Sequence, residues 1–168
     1  ILANHLADRF HAFYTAEQYY FYNGGVYTPQ GDKDAKAAVR TYLIPRDATM
    51  NQINDAEGQW QLIIRKPIRE INPNPYIINT QNGLYNVLDD TFRPHDPQYY
   101  STVQIKAKYD PEAECPRFMA FLRGILEEPE IELLREIFGY FLVPITKAQK
   151  SFMLVGLANV GKSTILQV

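Results

Sequence analysis

The chain has 168 residues, 17 basic and 19 acidic, and is 46% hydrophobic and 21% charged. Those proportions describe a globular chain able to bury a core, and a net charge of −2 excludes a global field that recruits nucleic acid. The single cysteine, Cys115, excludes an internal disulfide and a cysteine-based zinc cluster and fits a reducing compartment.

In chain order, Leu2, Leu6, Phe10 and Phe13 recur near helical spacing and predict an amphipathic helix over 1–14. An aromatic hairpin follows, with Tyr19–Tyr22 and Gly25–Thr28 as strands around an Asn23-Gly24 turn, closed by Pro29 and Gly31. Residues 33–44 predict a short helix ended by Pro45. A longer helix is expected from an Asp47 or Thr49 cap, with Ile53, Ala56, Trp60 and Ile63/Ile64 on one face.

Between Pro67 and Tyr109 five prolines divide short β-type runs. Tyr76–Asn79, Leu84–Leu88 and Ser101–Ile105 are the predicted strands, with turns at Gln81-Asn82-Gly83 and near Asp89-Asp90. Two helices come next. Phe118, Phe121, Leu122, Ile125 and Leu126 form the apolar face of the first, and Ile131, Leu134, Ile137, Phe138 and Phe141 that of the second. The second ends before Pro144.

An apolar strand, Ser151–Val155, then leads into Gly156-Leu157-Ala158-Asn159-Val160-Gly161-Lys162-Ser163-Thr164, which is G-x-x-x-x-G-K-[ST]. By average residue usage the bare pattern arises in fewer than about one in a hundred chains of this size. Glycines 156 and 161 let the backbone curl so that amide N–H groups face phosphate oxygens. Lys162 would neutralise the β- and γ-phosphates, the Ser163 hydroxyl would enter the Mg²⁺ shell, and a helix opening at Ser163 would add its positive end. ATP and Mg²⁺ are therefore the expected cofactors. Such a motor also needs an acidic residue on a later strand. The segment after Lys162 is too short to supply one, so the chain is expected to be a fragment that does not hydrolyse ATP alone.

The fold class expected is α+β, a mostly helical accessory domain with β-hairpins over 1–147. A truncated first strand, phosphate loop and helix start of an α/β ATPase follow over 148–168.

The ordered motifs resemble the domain that precedes the ATPase in phage and plasmid primase-helicases. That group includes the poxvirus-type primase-helicases of helicase superfamily 3. The features that carry the resemblance are Tyr22-Asn-Gly-Gly-Val-Tyr27, Asn82-Gly83-Leu84, Arg93-Pro94-His95-Asp96-Pro97, Tyr109-Asp110-Pro111 through Phe118, Phe121-Leu122, Phe138-Gly139-Tyr140-Phe141-Leu142 and the phosphate loop. Phage members usually carry asparagine directly before the loop's second glycine. Here Val160 stands there and Asn159 comes one place earlier, as in the small-virus helicases of the same superfamily. The resemblance implies a parent protein that forms a hexameric ring, moves along DNA using ATP and often carries a primase domain upstream. It places this domain as a collar that aids oligomerisation or contacts DNA in the host cytoplasm. No apolar run reaches about eighteen residues and no charged-then-apolar leader is visible, so neither membrane insertion nor secretion is expected.

Arg65, Lys66 and Arg69 are the densest basic run and the candidate contact to a DNA backbone, although three charges also describe a solvated face. Tyrosines cluster at 19, 20, 22 and 27 and again at 99 and 100. Such rings can stack on bases, but sheet propensity alone accounts for them, and Lys and Arg are sparse around both clusters in sequence. Cys115, between Glu114 and Pro116, reads as structural. His5, His11 and His95 lack metal-ligand spacing, and His95 reads as stiffening its loop. Two other readings of the whole stand beside the helicase: a non-enzymatic oligomerisation or interaction module, and the accessory domain of an unrelated P-loop NTPase or kinase.

Overall fold

The computed structural model describes residues 2–43, 48–145, 147, 149–158 and 160–167. The fold is α+β, with six helices and two three-stranded antiparallel sheets among those residues. It divides into two compact units, Ile1–Tyr109 and Asp110–Val168. The second unit holds both the last helices and the glycine-rich loop, so the 147/148 boundary read from sequence falls inside it.

In the first unit, helix α1 (Leu2–Arg9) leads into β1 (Ala12–Thr15), β2 (Gln18–Asn23) and β3 (Val26–Gln30). The helix expected over 1–14 is therefore too long. Phe13 pairs with Tyr20 across the sheet and is fully buried, and the packing of its ring overrides the helical spacing that includes it. The β2–β3 turn is also shifted by one residue. Asn23 pairs with Val26, so the turn residues are Gly24 and Gly25, at φ +57° and +95°. Two successive left-handed residues match the twist of a tight hairpin, which is why glycine occupies both. Pro29 lies in β3 opposite Tyr20, on an edge strand, where its missing N–H breaks no inner ladder.

Helix α2 (Asp32–Leu43) and helix α3 (Met50–Ile63) follow. The Pro45 stop and the Asp47 cap lie outside the described residues. Thr49 is the observed cap: its hydroxyl accepts from Gln52 N at 3.4 Å, and Gln52 Oε1 accepts from Thr49 N at 2.9 Å. The three helices pack on one face of the sheet around Leu6, Tyr19, Val39, Ile53 and Trp60, with Ile64 buried just past α3 while Ile63 is exposed. Ala12, Tyr14 and Phe21 of the sheet close this core. Residues 64–66 extend the sheet along β1. Tyr14 N donates to Ile64 O at 3.0 Å, and Lys66 N donates to Tyr14 O at 2.9 Å.

The second sheet comprises β4 (Ile77–Thr80), β5 (Gly83–Asn86) and β6 (Thr91–Arg93), in that order. β6 was not foreseen from the sequence, because three residues between a turn and Pro94 give no alternation to read. The strand expected at Ser101–Ile105 does not form. Ser101 O accepts from Tyr27 N at 2.7 Å, whereas Ile105 N donates to Asn79 O at 2.8 Å, so the segment bonds to two different sheets without building a ladder on either. It joins the sheets instead. Asn79 Nδ2 donates to Gly25 O at 2.9 Å, and the His95 ring, bonded through Nε2 to Thr80 O at 2.8 Å, fills the space where a side chain at Gly25 would stand.

Two buried tyrosines are expected to make the first unit alkali-sensitive. Tyr19 donates to the Glu57 carboxylate and Tyr27 to Pro97 O. Burial raises both hydroxyls well above their usual pKa of 10.0, with Glu57 adding to the rise at Tyr19. A raised folded-state value means the folded protein keeps protons that the unfolded chain releases. The stabilisation is therefore complete below pH 10 and is lost as pH climbs further. Each tyrosine held protonated is expected to lower unfolding free energy by about 1.4 kcal/mol per pH unit above 10. Urea midpoints measured across that range check this, and Tyr19→Phe should flatten the slope.

Candidate functional site

The second unit builds the glycine-rich loop on two helices, α4 (Pro116–Arg123) and α5 (Glu128–Phe141). The acidic turn before α5 caps that helix, since Glu130 accepts from Glu127 N at 2.9 Å and Arg123 pairs with Glu128 at 3.0 Å. Carboxylates at a helix start also offset its positive end. Leu122, Ile131, Leu134 and Ile165 form the core, so the short helix α6 (Lys162–Leu166) is anchored by Ile165.

The strand expected at Ser151–Val155 is not formed; those residues belong to no ladder among the described ones. Their exposure still alternates. Phe152 and Leu154 are 43% and 38% exposed, while Met153 and Val155 are both 85% exposed. Phe152 packs against Tyr140 and Phe141, with centroids at 6.3 and 5.6 Å. A strand is stabilised by bonds to neighbours, and period-two exposure is what an extended backbone shows before it has them.

Within the loop, Gly161 sits at φ +87° directly before α6. A Cβ there would lie 2.6 Å from Phe121 Cζ and 3.1 Å from Ile125 Cδ1. Both its backbone angle and its close approach to α4 thus require glycine. Sequence reasoning missed this buttress, since Phe121 and Ile125 read only as apolar periodicity. The Lys162 side chain turns back over the loop, and its ammonium donates to Gly156 O at 2.9 Å and Leu157 O at 2.5 Å. Ser163 and Thr164 are exposed in the first turn of α6, Ala158 lies in an exposed turn, and Val160 is 38% exposed. Asn159 lies outside the described residues. The geometry brings Lys162 back onto Gly156 and Leu157 and leaves its ammonium bonded to neutral carbonyls.

Arg65, Lys66 and Arg69 belong to the other unit. Arg65 and Arg69 are exposed, whereas Lys66 is engaged. Its ammonium lies 3.5 Å from Glu70 and 4.8 Å from the centre of the Tyr100 ring. Burial opposes the charge on Lys66, but Tyr100 and Glu70 outweigh it and raise its pKa. Cys115 is exposed just before α4, and no group of three or more metal-ligating side chains occurs among the described residues. No helix among them is long and apolar enough to cross a membrane.

Residues 1–127 match a family model described as D5 N terminal like. The chain belongs to that family. The D5 N-terminal-like domain is found in phage, plasmid and viral primase-helicases, and here it spans the whole first unit and α4. No curated protein matches the chain. The D5 match ends at the turn before α5, so the glycine-rich loop lies C-terminal to it, in the order the sequence motifs predict.

Proposed function

We propose that this chain is the accessory region, together with the opening segment of the ATP-driven motor, of a ring-forming DNA helicase that works in replication in the host cytoplasm. Its D5 N-terminal-like domain supports the replicative role. The observation that carries the proposal is the Lys162 ammonium, drawn onto Gly156 O and Leu157 O inside a glycine-rich turn. Two neutral carbonyls are weak partners for a full charge. Phosphate oxygens form shorter, charge-assisted bonds and would take their place. The exposed Ser163 hydroxyl, next along α6, is the Mg²⁺ ligand in this reading. The two-sided apolar arm 151–157 suits a strand covered on both faces, as in a parallel ATPase sheet.

The test uses a longer protein that continues past Val168. Its ATP hydrolysis should rise when single-stranded DNA is added, and sedimentation should give a hexamer. Hydrolysis indifferent to DNA, or a strict monomer at high concentration, sinks the proposal.

DNA contact is assigned to the exposed Arg65 and Arg69, with Lys66 beside them. Arg65→Ala/Arg69→Ala is expected to weaken DNA binding and to reduce the slope of log K against log salt by about one to two. Anisotropy titrations at several salt concentrations measure this. An unchanged slope would move the contact elsewhere.

A further inference from the structure

Tyr20, Tyr22, Tyr27, Tyr100 and Lys66, scattered in sequence, meet on the face of the first sheet turned away from its helices. Pairing Phe13 with Tyr20, Tyr22 with Tyr27, and Tyr20 with Pro29 places these side chains on that one face. Phe13 and Tyr27 form its buried floor. The Tyr20 ring lies flat on Phe13, centroids 4.8 Å apart and planes 12° from parallel. Tyr22 leans on Tyr27 at 5.1 Å. Tyr100 meets Phe13 edge-on at 5.7 Å and Tyr27 at 5.8 Å, so residues from distant parts of the sequence share one aromatic layer. Tyr20, Tyr22 and Tyr100 are each half-buried.

The charge on this face comes from a third segment. Lys66 stands 4.8 Å over Tyr100, whereas its neighbour Arg65, bridged to Tyr14, takes the helix side of the sheet. Glu70 pairs with Lys66, and the Tyr22 hydroxyl is raised by burial first and by the Asp96 carboxylate second. Tyr100 itself sits at φ +51°, ψ +42°, a left-handed conformation costly for a bulky residue. Asn72 N donates to its carbonyl at 3.4 Å, and the cation over its ring helps keep it there.

We propose that this face binds single-stranded nucleic acid, with bases stacking on Tyr20, Tyr22 and Tyr100 and the backbone running past Lys66. Half-buried Tyr20, Tyr22 and Tyr100 with a cation at their edge suit unpaired bases, because every base has a π-face and a duplex hides it. The inference extends the DNA contact proposed above from phosphates to bases.

The test measures the 168-residue chain by anisotropy with a labelled oligothymidylate of about twelve nucleotides, and with an abasic strand of the same length. The base-bearing strand should bind at least roughly tenfold more tightly. Tyr20→Leu/Tyr22→Leu, which keeps apolar cover over Phe13, should erase that difference while leaving abasic binding unchanged; Tyr22→Leu alone should halve it or more if the double variant does not fold. Equal affinity of the wild type for both strands overturns the proposal, and so does a variant that keeps the preference. Base-dependent binding that persists while the longer protein's hydrolysis ignores DNA defeats the motor reading and leaves this one standing. The reverse pair of results defeats only the stacking face.

Discussion

Lys162→Ala is expected to abolish ATP hydrolysis in a protein that carries this chain and continues past Val168, with a loss in kcat of at least about a hundredfold. The ammonium is turned back over the loop and bonded to the carbonyls of Gly156 and Leu157. Phosphoryl transfer spreads charge over the γ-phosphate oxygens, so a cation fixed beside them lowers the barrier in a way water does not reproduce. Stability should hardly change, since both bonds that are lost go to an exposed turn. Phosphate-release assays and melting curves run together separate the two effects. A variant that folds and still hydrolyses ATP at the wild-type rate removes the phosphate loop from the proposal. Gly161 sharpens the prediction, because it sets where Lys162 starts and tolerates no Cβ against Phe121.

The second large effect is on folding. Trp60→Ala should destabilise the first unit by about 3–5 kcal/mol, a large fraction of the roughly 5–15 kcal/mol that holds a domain folded. The indole is fully buried, with Phe10, Tyr19 and Phe21 around it at ring separations of 6.0, 5.9 and 5.8 Å. It stands where α3 meets the sheet, so its loss leaves a cavity that a rigid three-element contact cannot close. Trp60→Phe should cost much less. It keeps most of the ring volume and removes an indole N–H that is buried without a partner among the described residues. Urea unfolding followed by far-UV circular dichroism ranks the two, and equal losses would contradict the cavity argument. Trp60 is the sole tryptophan, so the wild type's fluorescence reports this core directly.

Much of the fold was legible where a few neighbouring residues decide the outcome. The Thr49 cap, the Gln81-Asn82 turn and the apolar faces of α4 and α5 are short-range signals, and each is found near its expected place. The errors fall where distant contacts decide. Phe13 fits a helix by spacing and a strand by its partner Tyr20, and burial of the ring decides for the strand. Ser101–Ile105 has strand composition but divides its bonds between two sheets. Residues 151–155 have strand composition and strand-like alternation but no neighbour among the described residues.

The candidate sites divide in the same way. By itself the sequence determined the phosphate-loop pattern from Gly156 to Thr164 and the basic run at 65–69, because both are written in consecutive residues. Only the tertiary structure decided that Lys66 lies over Tyr100, that Tyr100 joins the layer of Phe13 and Tyr27, and that Gly161 rests on Phe121. Turn chemistry, capping and periodicity act over a few bonds and leave their mark in local order. Which faces meet depends on the burial of whole elements, and residue spacing carries no record of that.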